Sequence, residues 1–388
     1  MPPSIHAVLA VFLIPGVCLL QRNELATVAP ADKTIQLRAP SGRFGIGTKT
    51  YDWVDRSRHE KASKDPEEFR QVIAQVWYPA KSKGIVATPY VPRLSAYRRI
   101  WERSEFELAR RTQTHSQMNA KPFPGVRFPV VLLSHGWQGT RSEYTSLAEE
   151  LASHGYAVFG LDHPYMGQVA LPDGRVTPST EDQFGSPSEI LEYYGRDVQF
   201  AIGQIEKLNR ANPDKILLDR LDLSRLAAIG HSSGFSAVNE ACRIDSRIKA
   251  CVSLDAPGFT AALLDGLKQP LMWIRLERAG PVPRGFLNMT SAAVYELEIK
   301  GANHGSPEDW DYLKARTAQE REAAARRLSL IGDYVEAFLR KTLRDQDSAL
   351  LVDSQTNAIK LTCYHASPGR PSIRAGSTRL PSAAKQLR

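Results

Sequence analysis

The sequence predicts an α/β protein, a mostly parallel central sheet with helices on both faces. Three observations predict it. First, short and almost wholly apolar runs recur, at Val130–Leu133, Tyr156–Leu161, Ala250–Leu254 and Leu271–Leu276. Such runs have strand length and lack the alternation of a half-exposed sheet. Second, stripes at helical spacing lie between them, as at Tyr144, Leu147, Ala148 and Leu151. Strand and helix therefore alternate, the signature of parallel pairing. Third, residues 226–237 read LAAIGHSSGFSA. Four apolar residues lead into G-x-S-x-G, and small or apolar residues follow. A strand turning this sharply into a helix is a nucleophile elbow.

Taken in order, the chain begins with an apolar run, AVLAVFLIPGVCLL, at residues 7–20. It is short for a membrane span, and Pro15 and Gly16 interrupt it. We expect a signal peptide within residues 1–31, cleaved near Ala29-Pro30-Ala31, although no Lys or Arg precedes Ala7. Residues 42–80 read as β-rich, with a strand at Val72–Tyr78 closed by Pro79. Residues 93–119 are polar, and a surface helix and a flap are both open there. Val130–Leu133 ends in Ser134-His135-Gly136-Trp137-Gln138-Gly139. Its following helix stops at Gly155, a glycine placed for a left-handed cap. Residues 171–189 form a long loop, part of a possible lid. A helix from Ile190 to Leu208 buries Tyr194, Val198, Ala201, Ile202 and Ile205 and is stopped by Asn212-Pro213. After the elbow helix, strands end at Asp255, at Glu277 and, for Val294–Ile299, just before Lys300-Gly301-Ala302-Asn303-His304-Gly305. A long helix spans about Thr317–Leu343, with Thr317 and Glu320 spaced as a capping box. The catalytic domain is expected over residues 40–345. Residues 346–388 are expected to be a loose basic tail; its last 23 residues, 366–388, hold five basic residues and no acidic one.

Composition narrows the function. A chain of 388 residues with 42% hydrophobic and 24% charged residues is globular. The net charge of +8 favours anionic surfaces, including lipid. Basic residues are scattered and often sit beside acids, and no zinc-finger or RNP-like motif is present, so nucleic acid is not an expected partner. The four cysteines, Cys18, Cys242, Cys251 and Cys363, form no C-x-x-C pair, and neither a metal nor another cofactor is expected. With Cys18 in the leader, three remain, so at least one thiol is unpaired within the chain.

The motifs assemble into one chemistry. A serine hydroxyl needs a base, and the base needs a partner that fixes its tautomer. In α/β-hydrolases these follow the serine on later strand-end loops, acid first and histidine second. Ser232 is the candidate nucleophile and His304 the candidate base. For the acid, Asp255 and Glu277 both end strands, and the pattern alone leaves both open. The loop Ser134–Gly139 faces the elbow in this topology. The backbone N–H groups of Trp137 and Ser233 are the candidate oxyanion donors. His231 is read as structural, and Met272 and Trp273 as core.

Longer motifs carry a family resemblance. GRFGIGT, QVWYPA, LLSHGWQGTRSEYTSLAEELASHGYAVFGLDHP, GHSSG, VSLDAPG and GANHG together resemble the platelet-activating factor acetylhydrolase family over most of residues 42–340. The resemblance places the acid at Asp255, one helix and one strand after Ser232. It implies cofactor-independent hydrolysis of short or oxidised acyl groups at the second position of a glycerophospholipid. Two departures stand out. Phe235 occupies a position where the family tends to keep glycine, and its larger side chain beside the elbow is expected to alter either helix packing or the acyl pocket. PDGRVTP after HPY resembles relatives acting on simpler esters. The alternatives are a secreted carboxylesterase or polyester hydrolase and, from another class, a binding protein on a hydrolase scaffold.

Overall fold

The computed structural model describes residues 34–81, 87–180, 187–211, 214–256 and 265–365. The leader expected at 1–31, the end of the tail beyond residue 365 and residues 181–186 of the long loop lie outside them. The chain opens with β1 (Ile35–Gln36), β2 (Gly45–His59), β3 (Phe69–Ala80) and β4 (Ala87–Pro89). Helix α1 (Arg103–Arg111) runs into β5 (Thr112–Met118), followed by β6 (Phe128–Ser134), α2 (Thr145–Ser153) and β7 (Ala157–Asp162). Next come α3 (Pro187–Ala211), β8 (Leu221–His231), α4 (Ser233–Ile244), β9 (Ile248–Leu254) and β10 (Leu271–Arg275). The chain continues through α5 (Arg284–Met289), β11 (Val294–Ile299), α6 (Trp310–Leu313), α7 (Ala318–Arg344), β12 (Ser354–Gln355) and β13 (Ile359–Tyr364).

All these strands join one sheet, ordered β1-β5-β2-β3-β7-β6-β8-β9-β10-β11-β13-β12, with β4 beside β5. The six strands from β7 to β11 pair in parallel. β3 and β13 flank that block antiparallel, on β7 and β11 respectively. The expected fold class is therefore the one observed. Successive side chains of the central strands enter two separate cores, as strand geometry requires. Val130, Leu132 and Ala228 pack with Val198, Ile202 and Val238 of α3 and α4. Val131, Leu133, Ala227 and Ile229 pack with Leu147 and Leu151 of α2 and Val335 and Phe338 of α7. Both faces are covered, which is why these strands read as continuous apolar runs. Each fully buried Leu or Val there contributes roughly 1.5–3 kcal/mol.

The helix boundaries follow their local signals. Gly155 has φ 99° and returns its N–H to the Ala152 carbonyl. Thr317 and Glu320 exchange side-chain to backbone hydrogen bonds at 3.1 and 3.0 Å, closing the expected capping box.

Two segments differ from expectation. Residues 93–119 end in a sheet strand, β5, rather than forming only a helix or flap. Its inward side chains are Thr112, Thr114 and Ser116, all buried and polar. Thr114 donates to the Thr88 carbonyl, and Thr88 to that of Ser116, each at 2.9 Å. A strand whose inner face is hydroxyls leaves no apolar alternation to read. The second is the tail expected from residue 346. Instead, β13 pairs with all of β11 and buries Ile359 and Leu361, so the domain continues to Tyr364. A disulfide joins Cys242 of α4 to Cys251 of β9, and Cys363 is a free thiol.

Candidate active site

The carboxyl ends of the parallel strands bring the sequence's candidates together. Ser232 lies between the last residue of β8 and the first of α4. Its φ of 52° and ψ of −125° are unfavourable for a residue with a Cβ. Such a conformation costs about 1–3 kcal/mol and persists where surrounding structure imposes it. The two glycines of the motif permit the approach. A Cβ on Gly230 would lie 2.3 Å from the Phe235 Cα, and one on Gly234 would lie 2.2 Å from the His135 carbonyl oxygen. The second contact packs the start of α4 directly against the loop after β6.

Asp255 follows β9 and is fully buried, with φ 48°. Its Oδ1 accepts the backbone N–H groups of Leu276, Glu277 and Ala279, and its Oδ2 that of Arg278, at 2.9–3.1 Å. Oδ2 also lies 2.7 Å from His304 Nδ1. Burial alone would raise the carboxyl pKa. The His304 hydrogen bond and the backbone donors outweigh it and hold Asp255 well below the usual carboxylate range. With Asp255 ionised, His304 Nδ1 carries the proton and Nε2 keeps its lone pair. Glu277, the other acid the pattern left open, accepts the backbone N–H of His304 at 2.9 Å. The two carboxylates thus hold the same histidine, one by its ring and one by its main chain.

His231 is more than a buried strand residue. Its Nε2 lies 2.9 Å from the His304 carbonyl oxygen, and its Nδ1 lies 2.7 Å from the Tyr144 hydroxyl. Burial, followed by the charge of His304, pushes its pKa down to about 3, so the ring stays neutral. The Tyr144 hydroxyl also accepts the Gly136 N–H at 3.3 Å and lies 3.4 Å from Glu308 Oε1. Burial lifts Glu308 to about 7, against the opposing pull of His304 and the Tyr144 hydroxyl.

The candidate oxyanion donors lie in the loop after β6 and in the first turn of α4. In the loop after β6, Gln138 donates to the Met166 carbonyl and Gly139 to that of Gly136. Among the described residues, the Trp137 N–H has no protein acceptor. The Ser233 N–H belongs to the first turn of α4, where helical donors lack intrahelical partners. Neighbouring Gln138 has φ 65°. A non-glycine residue with positive φ therefore stands in the candidate oxyanion loop, at the elbow and at the candidate acid.

A buried polar chain fixes the loop after β6 from below. His135 Nδ1 lies 2.7 Å from the Gly136 carbonyl, and its Nε2 accepts the His163 N–H at 3.1 Å. His163 Nε2 accepts from the Ser134 hydroxyl at 2.8 Å, while its Nδ1 lies 2.9 Å from Asp197 Oδ2. Asp197 in turn binds Arg70 and Arg58. Burial pushes His135 down to about 3, which keeps that ring neutral. Sequence reasoning passed over this chain; its trace was a histidine at the end of each of two neighbouring strands.

Other readings sort as follows. Trp273 is core, and its indole N–H donates to the Gly280 carbonyl. Met272 is buried in the opposite core. Phe235 is also core. It is 1% exposed and meets Trp273 edge-on at 5.8 Å, so it fills the helix–sheet interface rather than an acyl pocket. Among the described residues, no group of three or more His, Cys, Asp and Glu side chains can hold a metal ion. Nor is any described helix long and apolar enough to cross a membrane.

Comparison with known proteins agrees with this geometry. The profile of the alpha/beta hydrolase fold matches residues 129–297. A ferulic acid esterase from Streptomyces cinnamoneus superposes with a TM-score of 0.71 at 27% identity, over 84% of this chain and 98% of its own. The chain has the α/β-hydrolase fold. Within that fold it is similar to the platelet-activating factor acetylhydrolases. The profile described as platelet-activating factor acetylhydrolase, isoform II, matches residues 36–167. A probable 1-alkyl-2-acetylglycerophosphocholine esterase of Arthroderma benhamiae is 24% identical over 86% of this chain and 95% of its own. The platelet-activating factor acetylhydrolase of Bos taurus is 24% identical over 52% of this chain, a match spanning 53% of the bovine protein. The resemblance read from the motifs is thus matched by profile and by relatives.

Proposed function

We propose that this α/β-hydrolase is a serine esterase for short or oxidised acyl esters, in the manner of the platelet-activating factor acetylhydrolases. The observation that carries the reading is the 2.7 Å contact of His304 Nδ1 with Asp255, made by two strand-end loops that follow the elbow. A histidine held this way has Nε2 free to take a proton. In this reading Ser232 Oγ attacks the ester carbonyl as His304 Nε2 accepts its proton. The carbonyl oxygen, now negative, takes the N–H groups of Trp137 and Ser233. Collapse expels the alcohol, which leaves with the proton from His304. Water then gives a proton to His304 and attacks the acyl-enzyme, and Ser232 is regenerated with release of the acid. Asp255 stays ionised and stabilises the imidazolium.

The names of the two relatives support a 2-acetylglycerophosphocholine type of substrate. A general carboxylesterase or polyester hydrolase without phospholipid preference is the second reading, favoured by the likeness to a ferulic acid esterase. Secretion is part of the proposal. The apolar run at residues 7–20 supports it, as does the Cys242–Cys251 disulfide, a bond that persists in oxidising compartments. So is weak attraction to anionic lipid, from the net charge of +8. The proposed catalytic domain runs from about residue 34 through Tyr364.

Ser232→Ala tests the mechanism. It is expected to abolish ester hydrolysis and labelling by a fluorophosphonate probe; full labelling of the variant would sink the assignment. A panel of acyl lengths, with and without a phosphocholine head group, separates the two substrate readings.

A further inference from the structure

A cavity of about 510 Å³ lies at the amino-terminal ends of β6, β7 and β8, the opposite end of the sheet from Ser232, Asp255 and His304. The seven residues of β6 separate the two ends by roughly 20 Å at strand rise. Five arginines line the cavity, Arg43, Arg127, Arg225, Arg340 and Arg344, against one carboxylate, Glu336. They come from four segments: the loop before β2, the loop before β6, the first half of β8 and the end of α7. Folding leaves most of these charges unmatched. Arg225 pairs at 3.3 Å with Asp222, which is not part of the lining, and Arg340 Nε stands 3.8 Å from Glu336, beyond hydrogen-bond length. Arg43, Arg127 and Arg344 have no carboxylate partner among the described residues. Arg344 is nonetheless held in place. Its guanidinium lies over the Tyr156 ring, 4.2 Å from the centroid, and donates to the His154 carbonyl at 3.1 Å. Gly155 makes room for it, since a Cβ there would lie 3.0 Å from Nη2. Two buried donors lack an acceptor among the described residues, Arg340 Nε and the hydroxyl of the fully buried Tyr156.

We infer that this cavity binds a small soluble anion carrying several phosphate or sulfate groups. The inference is independent of the esterase reading. Like charges gathered from four segments repel one another, and a polyanion turns that repulsion into attraction. A guanidinium presents a planar fork of N–H donors that matches two oxygens of a phosphate or sulfate. Several forks around one recess favour a ligand with several anionic groups over one with a single charge. An entering oxygen also offers Arg340 Nε the acceptor it lacks, and a buried donor without one is costly. Arg340 and Arg344 are half-buried, while Arg43, Arg127 and Arg225 are exposed at the rim. A ligand must therefore enter the recess to reach the guanidinium held on Tyr156. That suits a free polyanion better than a headgroup fixed in the plane of a bilayer. Glu336 is the one lining group that opposes the ligand.

Calorimetric titration of the full chain with inorganic tripolyphosphate at low ionic strength tests this. One site with a Kd of about 10–100 μM is expected, weakening as salt is raised. Arg43→Gln and Arg127→Gln are each expected to weaken binding about threefold. Arg344→Lys keeps the charge but loses the fork, and is expected to weaken it about fivefold. Glu336→Gln removes the opposing carboxylate and is expected to tighten it about threefold. Arg326→Gln, an exposed change nearer the start of α7, lowers the net charge as much as the rim variants do and is expected to leave Kd unchanged. Arg43 and Arg127 lie at the surface, so their variants keep the test valid if Arg344→Lys fails to fold. Equal weakening by Arg326→Gln and the rim variants means attraction to net charge alone and overturns the site. A Kd that none of the lining variants moves also overturns it, as does binding to phosphatidate vesicles with none to tripolyphosphate. Ser232→Ala is expected to bind tripolyphosphate as the parent does, so the site and the esterase reading stand or fall separately.

Discussion

The Nε2–H of His231 donates to the carbonyl oxygen of His304 across 2.9 Å. A carbonyl only accepts, so this bond fixes the tautomer of a ring that is neutral in the fold. Nδ1 is then an acceptor, and the Tyr144 hydroxyl 2.7 Å away is its donor. The same hydroxyl oxygen receives the Gly136 N–H. Two side chains therefore connect the residue before Ser232, the loop that carries His304 and the loop that carries Trp137.

Tyr144→Phe tests that connection, because the ring stays in the core and only the hydroxyl is lost. The His231 acceptor and the Gly136 donor both lose their partner, at about 1–3 kcal/mol if unsatisfied. We expect kcat to fall about tenfold or more, with KM for a small acetate ester changed less than threefold. A fall in thermal stability with kcat intact would reduce the bridge to a packing device.

The two carboxylates on His304 predict unequal losses. Asp255→Asn puts an amide where four backbone N–H groups and His304 Nδ1 all converge. The misplaced donors disturb both tautomer and loop. Activity is expected to fall on the order of 10³–10⁴-fold, with a measurable drop in melting temperature. Glu277→Gln keeps an oxygen for the His304 N–H, so its loss is expected to stay below about tenfold. Steady-state kinetics on the pair decides between them; comparable losses would contradict the division of labour.

Much of this was legible because the chemistry lies in short local patterns. GHSSG announced its own turn, and the apolar runs of β6 to β11 announced a sheet covered on both faces. The long-range polar contacts were not legible. Tyr144 fits the α2 stripe so well that nothing marks its hydroxyl as a link to His231. Glu308 and Asp197 are charged residues on polar stretches, and their partners lie far away in sequence. For Phe235 the sequence left helix packing and the acyl pocket both open, since closeness to Ser232 along the chain does not say which way a ring turns; it turns inward to Trp273, the packing alternative.

A pH effect is expected from Glu149, which is fully buried and accepts the His115 N–H at 2.9 Å. Burial pushes its pKa up to about 8, against hydrogen bonds from Ser116 and His115 that lower it. The folded state then keeps a proton that the unfolded chain gives up near its ordinary carboxylate pKa of about 4.3. Stability from this group is full below that value and is lost as pH rises towards about 8. Glu149→Gln removes the dependence. The variant is expected to be more stable than the parent at pH 8.5, by roughly 2–4 kcal/mol, with little gain at pH 5. Urea unfolding at the two pH values measures it; an equal effect at both would show that Glu149 does not titrate in that range.

The place of β13 bears on when the enzyme can become active. β11, which leads into the His304 loop, is covered on one edge by a strand that follows it by some sixty residues. During synthesis the elbow, the acid and the histidine all emerge before that cover does. Until it docks, the six-residue edge of β11 stands open, with Val294, Tyr295, Leu297 and Ile299 lacking their antiparallel neighbour. An open apolar edge is a template for self-association. A chain stopped at Arg344 is therefore expected to hold every candidate catalytic residue and still accumulate as aggregate, with soluble yield restored once Ile359–Tyr364 is included. Docking of β13 thus closes the edge of the strand that leads into the His304 loop.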